Sequence, residues 1–315
     1  MNQSSISRRG ILTAISLAAG AAWTRPRIAR AEKNKAGGNL HLASNHYSWI
    51  VFFNRDKRDF NQSLDEGLKE VAASGIDGFE ANVNGPEDIE RFAPLLEKHG
   101  LEMRSFYVNS VLHTAEEAEK SLKHVLAIAE KAQAIGTKII VTNPSPIQWG
   151  GAGDKTDDQL KIQAEALEQL GKELHGRGLI LAYHNHDMEL RNAAREFHHM
   201  MVGTDPRYVT LCLDSHWIYR GSGNSQVALF DIVKLYGKRV TELHLRQSVN
   251  HAWAETFGEG DIDYPALAQA ILAQGVKPHL VLEQAVETGT PQSLSPVEAH
   301  RRSVEYARRV FAAMS

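Results

Sequence analysis

The chain has 315 residues, of which 43% are hydrophobic and 23% charged, and its formal net charge is −3 at pH 7. These values are ordinary for a globular protein and exclude a largely disordered chain. A nearly neutral chain has no broad basic surface for a phosphate backbone, so nucleic acid is not expected as a partner. The single cysteine, Cys212, excludes an intrachain disulfide.

The N-terminal segment has the features of an export signal. A twin-arginine pattern at residues 7–12 is followed by an apolar run that ends at Trp23 and by a small-residue cleavage site at Ala31. The apolar run is shorter than the roughly eighteen residues of a membrane span, so an uncleaved anchor is the weaker alternative. We expect residues 1–31 to be a twin-arginine signal peptide and residues 32–39 a linker. The mature protein is then periplasmic, with no stable membrane anchor after cleavage.

From Leu40 onward, short apolar runs alternate with longer amphipathic stretches, which is typical of a parallel sheet built from strand–helix units. The predicted strands are 40–44, 78–83, 102–108, 138–143, 179–184, 209–214, 240–245 and 279–283. The clearest predicted helices are 64–74, 115–135, 158–175, 265–274 and 296–313, with a short one near 197–202. Eight such units over about 250 residues form an α/β barrel. We therefore predict one domain, a single (β/α)8 TIM barrel over residues 40–315.

Glycine residues mark the boundary between several helices and the strands that follow them. Each stands just past a helical run, where a left-handed C-cap would end the helix. These residues are Gly75, Gly100, Gly136, Gly178 and Gly275.

Four predicted strands end in side chains that bind divalent metals: His184, Asp214, His244 and Glu283. Strands of a parallel barrel deliver catalytic side chains at their C-terminal ends, so we expect one metal site. His186, two residues after His184, shares its face and is the alternative ligand from the fifth strand. Carboxylates and imidazoles without a thiolate suit Mn²⁺, Mg²⁺, Co²⁺ or Zn²⁺, of which we favour Mn²⁺.

The strand ends resemble those of the xylose isomerase-like TIM barrels, the sugar phosphate isomerase/epimerase family. The matching segments are Tyr-His-Asn-His-Asp-x-Glu at 183–189, Leu-Asp-x-x-Trp at 213–217, Leu-His-Leu at 243–245, Gly-x-Gly-x-Ile-Asp-Tyr at 258–264 and Leu-Glu at 282–283. The resemblance implies a metal held by Asp214, His244 and Glu283. His184 stands where related epimerases carry a glutamate, which leaves isomerase, lyase and dehydratase chemistry open.

A divalent ion that chelates a sugar carbonyl and its neighbouring hydroxyl acts as a Lewis acid and stabilises the enediolate formed when a base removes the α-proton. We predict Glu283 as the base and His186, or alternatively His184, as its acid/base partner, because an imidazole titrates near the working pH. Four further residues are predicted to bind substrate: Glu80, Glu189, Trp217 and Arg246.

The predicted function is metal-dependent isomerisation or epimerisation of an unphosphorylated sugar or keto-sugar. The substrate is expected to lack phosphate because the sequence has no phosphate-binding loop and because sugar phosphates are mostly cytoplasmic. One alternative is a lyase or dehydratase of a keto-sugar or glycoside. Another is a non-catalytic carbohydrate-binding barrel, which His184 motivates. A small carbohydrate is the expected partner, and the resemblance implies a homo-oligomer.

Overall fold

A computed structural model describes residues 40–315 of the chain. The predicted signal peptide and linker, residues 1–39, lie outside the described residues. Among residues 40–315, no helix combines the length and apolar character needed to cross a membrane.

Eight parallel strands close into a barrel, which confirms the predicted TIM-barrel fold. In chain order the strands are β1 (Leu42–Asn45), β2 (Gly78–Asn82), β3 (Ser105–Ser110), β4 (Ile139–Pro144), β5 (Ile180–His184), β6 (Val209–Asp214), β7 (Val240–Leu245), β8 (Ser248–Val249), β9 (Ala252–Trp253) and β10 (His279–Leu282). Strands β1 to β7 and β10 form the barrel, and β10 pairs with both β7 and β1. Strands β8 and β9 form a separate antiparallel hairpin. Every observed barrel strand begins and ends within three residues of its predicted bounds.

Helices connect the barrel strands. They are α1 (His46–Arg55), α2 (Leu64–Ala73), α3 (Pro86–His99), α4 (Ala115–Gln133), α5 (Asp157–Gly176), α6 (Arg191–Val202), α7 (Ser215–Gly221), α8 (Gln226–Tyr236), α9 (Tyr264–Ala273) and α10 (Pro296–Val310). Helix α6 is longer than the short helix predicted there. Its first turn contains left-handed backbone at residues 192–194, which interrupts the amphipathic pattern on which the prediction depended. Gly100 caps α3 with φ of 67°, and the other four predicted cap glycines also have positive φ.

The barrel interior is divided between apolar and polar side chains. On the β4–β6 side it holds a small buried cluster of Ile139, Val141, Ala182 and Cys212. Beside this cluster, the fully buried carboxylate of Glu242 on β7 lies 3.7 Å from Cys212 Sγ, and β2 contributes the fully buried carboxylate of Glu80. Outward-facing strand residues instead pack with the helices in one large core. The barrel therefore encloses charged groups that need partners inside the protein.

Helix α10 packs against α1 through a buried histidine. The ring of His300 stacks on that of Trp49 with a centroid distance of 4.1 Å, and its Nδ1–H donates to the Pro296 carbonyl at 2.8 Å. Burial lowers the pKa of His300 to about 4, so the ring is neutral at pH 7.

The glycine motif before α9 has a steric basis. A Cβ at Gly260 would lie 2.2 Å from the Ser248 carbonyl oxygen, whereas for Gly258 the nearest neighbouring atom within residues 40–315 is Thr256 Oγ1 at 3.8 Å. The side chain of Gln247 fixes the same segment by donating to the carbonyls of Gly258 and Ile262. Only the second glycine of the motif is therefore required by close packing.

Candidate metal centre

The four predicted metal ligands meet at the C-terminal end of the barrel, because they come from four neighbouring strands. His184 ends β5, Asp214 ends β6, His244 lies on β7 and Glu283 directly follows β10. One ligand atom of each lies within 4.8 Å of the others. His184 Nε2 is 3.7 Å from Asp214 Oδ2 and 3.9 Å from Glu283 Oε2. We call these four residues the strand-end quartet; His184, and not His186, belongs to it.

Several buried atoms of the quartet lack hydrogen bonds. Both ring nitrogens of His184 and Oδ2 of Asp214 have no hydrogen-bond partner among the described residues. Proteins rarely leave buried polar atoms unpaired. A neutral imidazole nitrogen 3.7 Å from an unpaired carboxylate oxygen could share a cation with it. Two imidazoles and two carboxylates form a donor set suited to Mn²⁺, Co²⁺ or Zn²⁺. The residues present therefore fit the predicted divalent cation.

Burial and neighbouring charges shift the pKa values of His184, Asp214 and Glu283 in ways that bear on cation binding. Burial lowers the pKa of His184 to about 4, which leaves the imidazole in its neutral, metal-binding form. Burial raises the pKa of Asp214 to about 7. Burial also opposes ionisation of Glu283, but the Arg246 guanidinium, the nearby His184 ring and the hydrogen bond from His244 lower the pKa of Glu283 well below its usual value. Of the two carboxylates, Asp214 is thus the one whose cost of burying a negative charge a bound cation would offset more.

His244 joins the quartet to the buried carboxylates inside the barrel. Its Nδ1 lies 2.8 Å from Glu283 Oε2, and its Nε2 lies 3.2 Å from both Glu80 Oε2 and Glu242 Oε1. Burial opposes protonation of His244, but the Cys212 side chain and the carboxylates of Glu80 and Glu242 raise the pKa of its imidazole well above the usual value. A metal bound at Nδ1 would leave Nε2–H donating to a carboxylate, the arrangement that commonly orients metal-binding histidines.

Sequence reasoning missed the residue that supports Glu242. His279, at the start of β10, places its Nδ1 2.9 Å from Glu242 Oε2. Strand alternation did put Glu242 on the face of His244, but a histidine at the beginning of a neighbouring strand gave no signal of its own. The carboxylate of Glu242 therefore joins two imidazoles, and Glu80 keeps one buried oxygen with no partner in the part of the chain that the structure describes.

The predicted substrate-binding residue Arg246 is buried beside the quartet. Its Nε donates to the Glu283 carbonyl at 2.9 Å, and its Nη2 lies 3.0 Å from Glu283 Oε1. The guanidinium lies over the rings of Trp253 and Trp217, at 4.3 and 5.1 Å from the centroids. Its Nη1 has no partner within residues 40–315, which leaves one donor available for a ligand oxygen.

Glu189 and Asn143 fix the turn that follows β5. Glu189 Oε2 accepts from the His186 backbone N–H at 2.6 Å, and Oε1 accepts from Asn143 Nδ2 at 3.2 Å. Asn143 Nδ2 also donates to the His184 carbonyl at 3.0 Å. Both oxygens of Glu189 are thus occupied in positioning the two histidines. Burial lowers the pKa of His186 well below its usual value, so this ring is neutral and does not titrate near the working pH as the sequence prediction assumed. Its Nδ1 has no hydrogen-bond partner among the described residues.

A cavity of about 1290 Å³ opens at the opposite, N-terminal end of the barrel. Leu40, Arg104 and Lys277 are among its lining residues, and the lining includes none of the predicted site residues. In TIM barrels this end contributes stability, and chemistry takes place at the C-terminal end. The quartet therefore remains the candidate site despite the size of this cavity.

Comparison with known proteins supports the architecture. Residues 68–310 match the family model of the xylose isomerase-like TIM barrel. The chain is 24% identical over 290 residues to an inosose dehydratase of Clostridium perfringens, covering 82% of this chain and 94% of the relative. It is 23% identical over 281 residues to an inosose dehydratase of Mesomycoplasma hyopneumoniae, covering 79% of this chain and 89% of the relative.

Solved structures with the same fold include sugar epimerases. A sugar phosphate isomerase/epimerase from Parabacteroides distasonis has a TM-score of 0.66 at 17% identity, covering 89% of this chain and 97% of that chain. A 3-keto-D-glucoside 4-epimerase from E. coli has a TM-score of 0.63 at 16% identity, covering 86% and 100%. At these identities the likeness shows the fold alone. The match to the family model covers most of the chain, so this protein belongs to the xylose isomerase-like TIM barrel family, an enzyme family that includes sugar isomerases, epimerases and inosose dehydratases.

Proposed function

We propose that this protein is a divalent-metal-dependent sugar isomerase or epimerase that acts on an unphosphorylated sugar or keto-sugar. The observation that carries the proposal is the strand-end quartet, four buried ligand side chains within 4.8 Å of one another. Its unpaired nitrogens on His184 and unpaired oxygen on Asp214 fit a cation, of which Mn²⁺ is our first choice.

Each residue of the site has a separate role in the proposed reaction. A divalent cation held by the quartet would supply Lewis-acid polarisation of a sugar carbonyl and its neighbouring hydroxyl. Glu283 is ionised and buried, and it removes the proton next to the carbonyl. His186 accepts or returns a proton at its unpaired Nδ1. Arg246 donates from Nη1 to a substrate oxygen, and Trp217 packs against the apolar face of the sugar ring.

An unphosphorylated substrate agrees with the charges around the site. The guanidinium of Arg246 is already paired with Glu283, and the guanidinium of Arg220 is paired with both oxygens of Glu287, at 2.8 and 3.0 Å. These two arginines, next to Trp217 and Trp253, therefore offer little net positive charge to a phosphate.

The second candidate function is a dehydratase or lyase of a keto-sugar or glycoside. The names of the sequence relatives, both inosose dehydratases, favour it. The same base would remove the same proton, and an acid such as His186 would protonate the departing β-oxygen. The two candidates differ in product mass, because isomerisation conserves it and elimination of water or an aglycone lowers it.

The test begins with metal analysis of the purified protein and of Asp214→Ala, His244→Ala and Glu283→Ala. We expect about one equivalent of a divalent metal in the wild type and much less in each variant. Asp205→Ala, at a carboxylate outside the site, is the matched control and should keep the metal. Candidate sugars and keto-sugars are then incubated in D₂O, and solvent deuterium at the carbon next to the carbonyl marks proton abstraction. A wild type that takes up no Mn²⁺, Co²⁺ or Zn²⁺ would contradict the proposal and favour a non-catalytic barrel.

We also propose that the twin-arginine route exports the protein to the periplasm. The support is the signal pattern at residues 7–12 with the cleavage site at Ala31. Replacing both Arg8 and Arg9 with lysine should retain the protein in the cytoplasm, as cell fractionation would show. Equal export of the double variant would contradict this route.

A further inference from the structure

Two tryptophan side chains, one from the loop after β4 and one from helix α7, contact the imidazole of His186. Trp149, in the loop after β4, has its ring centroid 5.0 Å from that of His186, with an interplanar angle of 81°. Trp217, in the first turn of α7, has its centroid 5.7 Å from the same ring. His186 thus lies in contact with two indoles at the C-terminal end of the barrel.

The side chains from the quartet to Trp149 become more exposed step by step. His184 is 1% exposed, His186 is partly exposed and Trp149 is 50% exposed. The rings of His184 and His186 are 4.8 Å apart, and those of His186 and Trp149 are 5.0 Å apart. Trp149 is therefore one ring further from the quartet than His186 is. A sugar ring bound at the quartet would lie at the buried end of this row, with Trp149 further towards solvent.

The loop that carries Trp149 is anchored to the protein. The ammonium group of Lys155, which is buried, donates to the Pro144 carbonyl at 3.0 Å and to Glu196 at 2.6 Å. Arg191 Nη1 donates to the Gly151 carbonyl at 2.8 Å. These bonds hold both ends and the middle of the loop, yet the indole remains half exposed. An exposed indole on an anchored loop, in contact with a residue beside the candidate site, is available to pack against a bound ring.

We propose that Trp149 forms a second subsite, which binds a ring attached to the reacting sugar, so that the substrates are glycosides. The attached ring, a second pyranose or an aromatic aglycone, stacks its apolar face on the indole. The unpaired Nδ1 of His186 receives a hydrogen bond at the junction of the two rings. This inference names the substrate class of the proposed function and rests on it.

The test measures binding by titration calorimetry to the Mn²⁺-loaded protein. The probes are glucose, methyl glucoside, cellobiose, maltose and both anomers of 4-nitrophenyl glucoside. We expect at least one two-ring probe to bind about tenfold more tightly than glucose, and Trp149→Ala to remove that difference. Trp149→Phe should keep most of the preference, because it keeps an aromatic face. Ile147→Ala is the matched control, since Ile147 is equally exposed on the same loop.

Tryptophan fluorescence gives a second reading. A two-ring probe should shift the emission of the wild type to shorter wavelength, and the shift should be absent in Trp149→Phe. The subsite is overturned if no probe binds, if two-ring probes show no preference, or if Ile147→Ala loses as much affinity as Trp149→Ala. It is also overturned if Trp149→Ala changes the oligomeric state in sedimentation velocity, because the indole is then an assembly contact. Metal analysis reports on the proposed function separately: a wild type without metal contradicts that function, whereas a two-ring preference lost in Trp149→Ala still supports the subsite.

Discussion

Replacing Asp214 with asparagine should stabilise the metal-free protein and remove its stabilisation by metal. Oδ1 of Asp214 accepts a hydrogen bond from the Trp217 backbone N–H at 2.8 Å, and an asparagine oxygen can accept the same bond. Oδ2 is buried with no hydrogen-bond partner among the described residues. The substitution therefore preserves the helix cap of α7 and removes only the charge that the cation is expected to balance.

The size of the effect follows from the pKa of Asp214, which burial raises from 3.8 to about 7. The folded state holds the proton up to about pH 7, whereas the unfolded chain releases it near pH 3.8. Stability therefore falls as the pH rises through this window. At about 1.4 kcal/mol per pKa unit, the penalty at pH 7 is at most about 4 kcal/mol, and asparagine avoids it. A cation at a thousand times its Kd would return about 4 kcal/mol to the wild type only.

The assay is urea unfolding at pH 7 in EDTA and again in excess Mn²⁺. In EDTA the free energy of unfolding should be higher for Asp214→Asn than for the wild type, and in Mn²⁺ that difference should largely disappear, because only the wild type is stabilised by the metal. Asp205→Asn is a control for which we expect the opposite change in the free energy of unfolding, because hydrogen bonds from Arg207 lower the pKa of Asp205 to about 2. It should lose stability in both conditions. If Asp214→Asn is less stable than the wild type in EDTA, or if Mn²⁺ stabilises both equally, the assignment of the cation site is refuted.

Three further substitutions test the surroundings of the site and the core. Glu242→Gln should weaken metal binding about tenfold in a chelator competition, because an amide orients the imidazole of His244 less well than a carboxylate does. Unchanged metal affinity would contradict that role of Glu242. Gly260→Ala should lower the free energy of unfolding by about 2 kcal/mol or more, because its Cβ meets a backbone oxygen, whereas Gly258→Ala should be tolerated; equal urea midpoints would exclude the packing argument. His300→Gln should remove part of the acid sensitivity, since unfolded histidine takes up a proton below about pH 6.5 and folded His300 only near pH 4. Wild-type stability should therefore fall by about 2 kcal/mol more than that of His300→Gln between pH 7 and 5, and parallel pH profiles would contradict the buried neutral ring.

Local patterns in the sequence were enough to predict the barrel. Short apolar runs mark the strands, and helices end at glycines that adopt left-handed backbone, so each strand could be located from its own neighbourhood. The exceptions have local causes. The first turn of α6 was not predicted, because residues 192–194 have left-handed backbone. The contact between His279 and Glu242 was not predicted either, because it joins two different strands.

The roles of individual site residues depended on distances between strands. Glu189 looked available for substrate in the sequence, and its residue type alone could not show that Asn143 and the backbone of His186 occupy its oxygens. His184 and His186 were equivalent by alternation, yet only His184 reaches the quartet, because β5 ends at His184 and the chain then turns.

The sequence by itself determined the eight strands, their order along the chain and the ligand types at their ends, because strand periodicity and helix caps are properties of neighbouring residues. The tertiary structure decided which of those side chains meet. Closure of the barrel brings β5, β6, β7 and β10 side by side, although almost one hundred residues separate His184 from Glu283. The distances among the quartet, Arg246 and the buried carboxylates follow from that closure, and no local pattern encodes them.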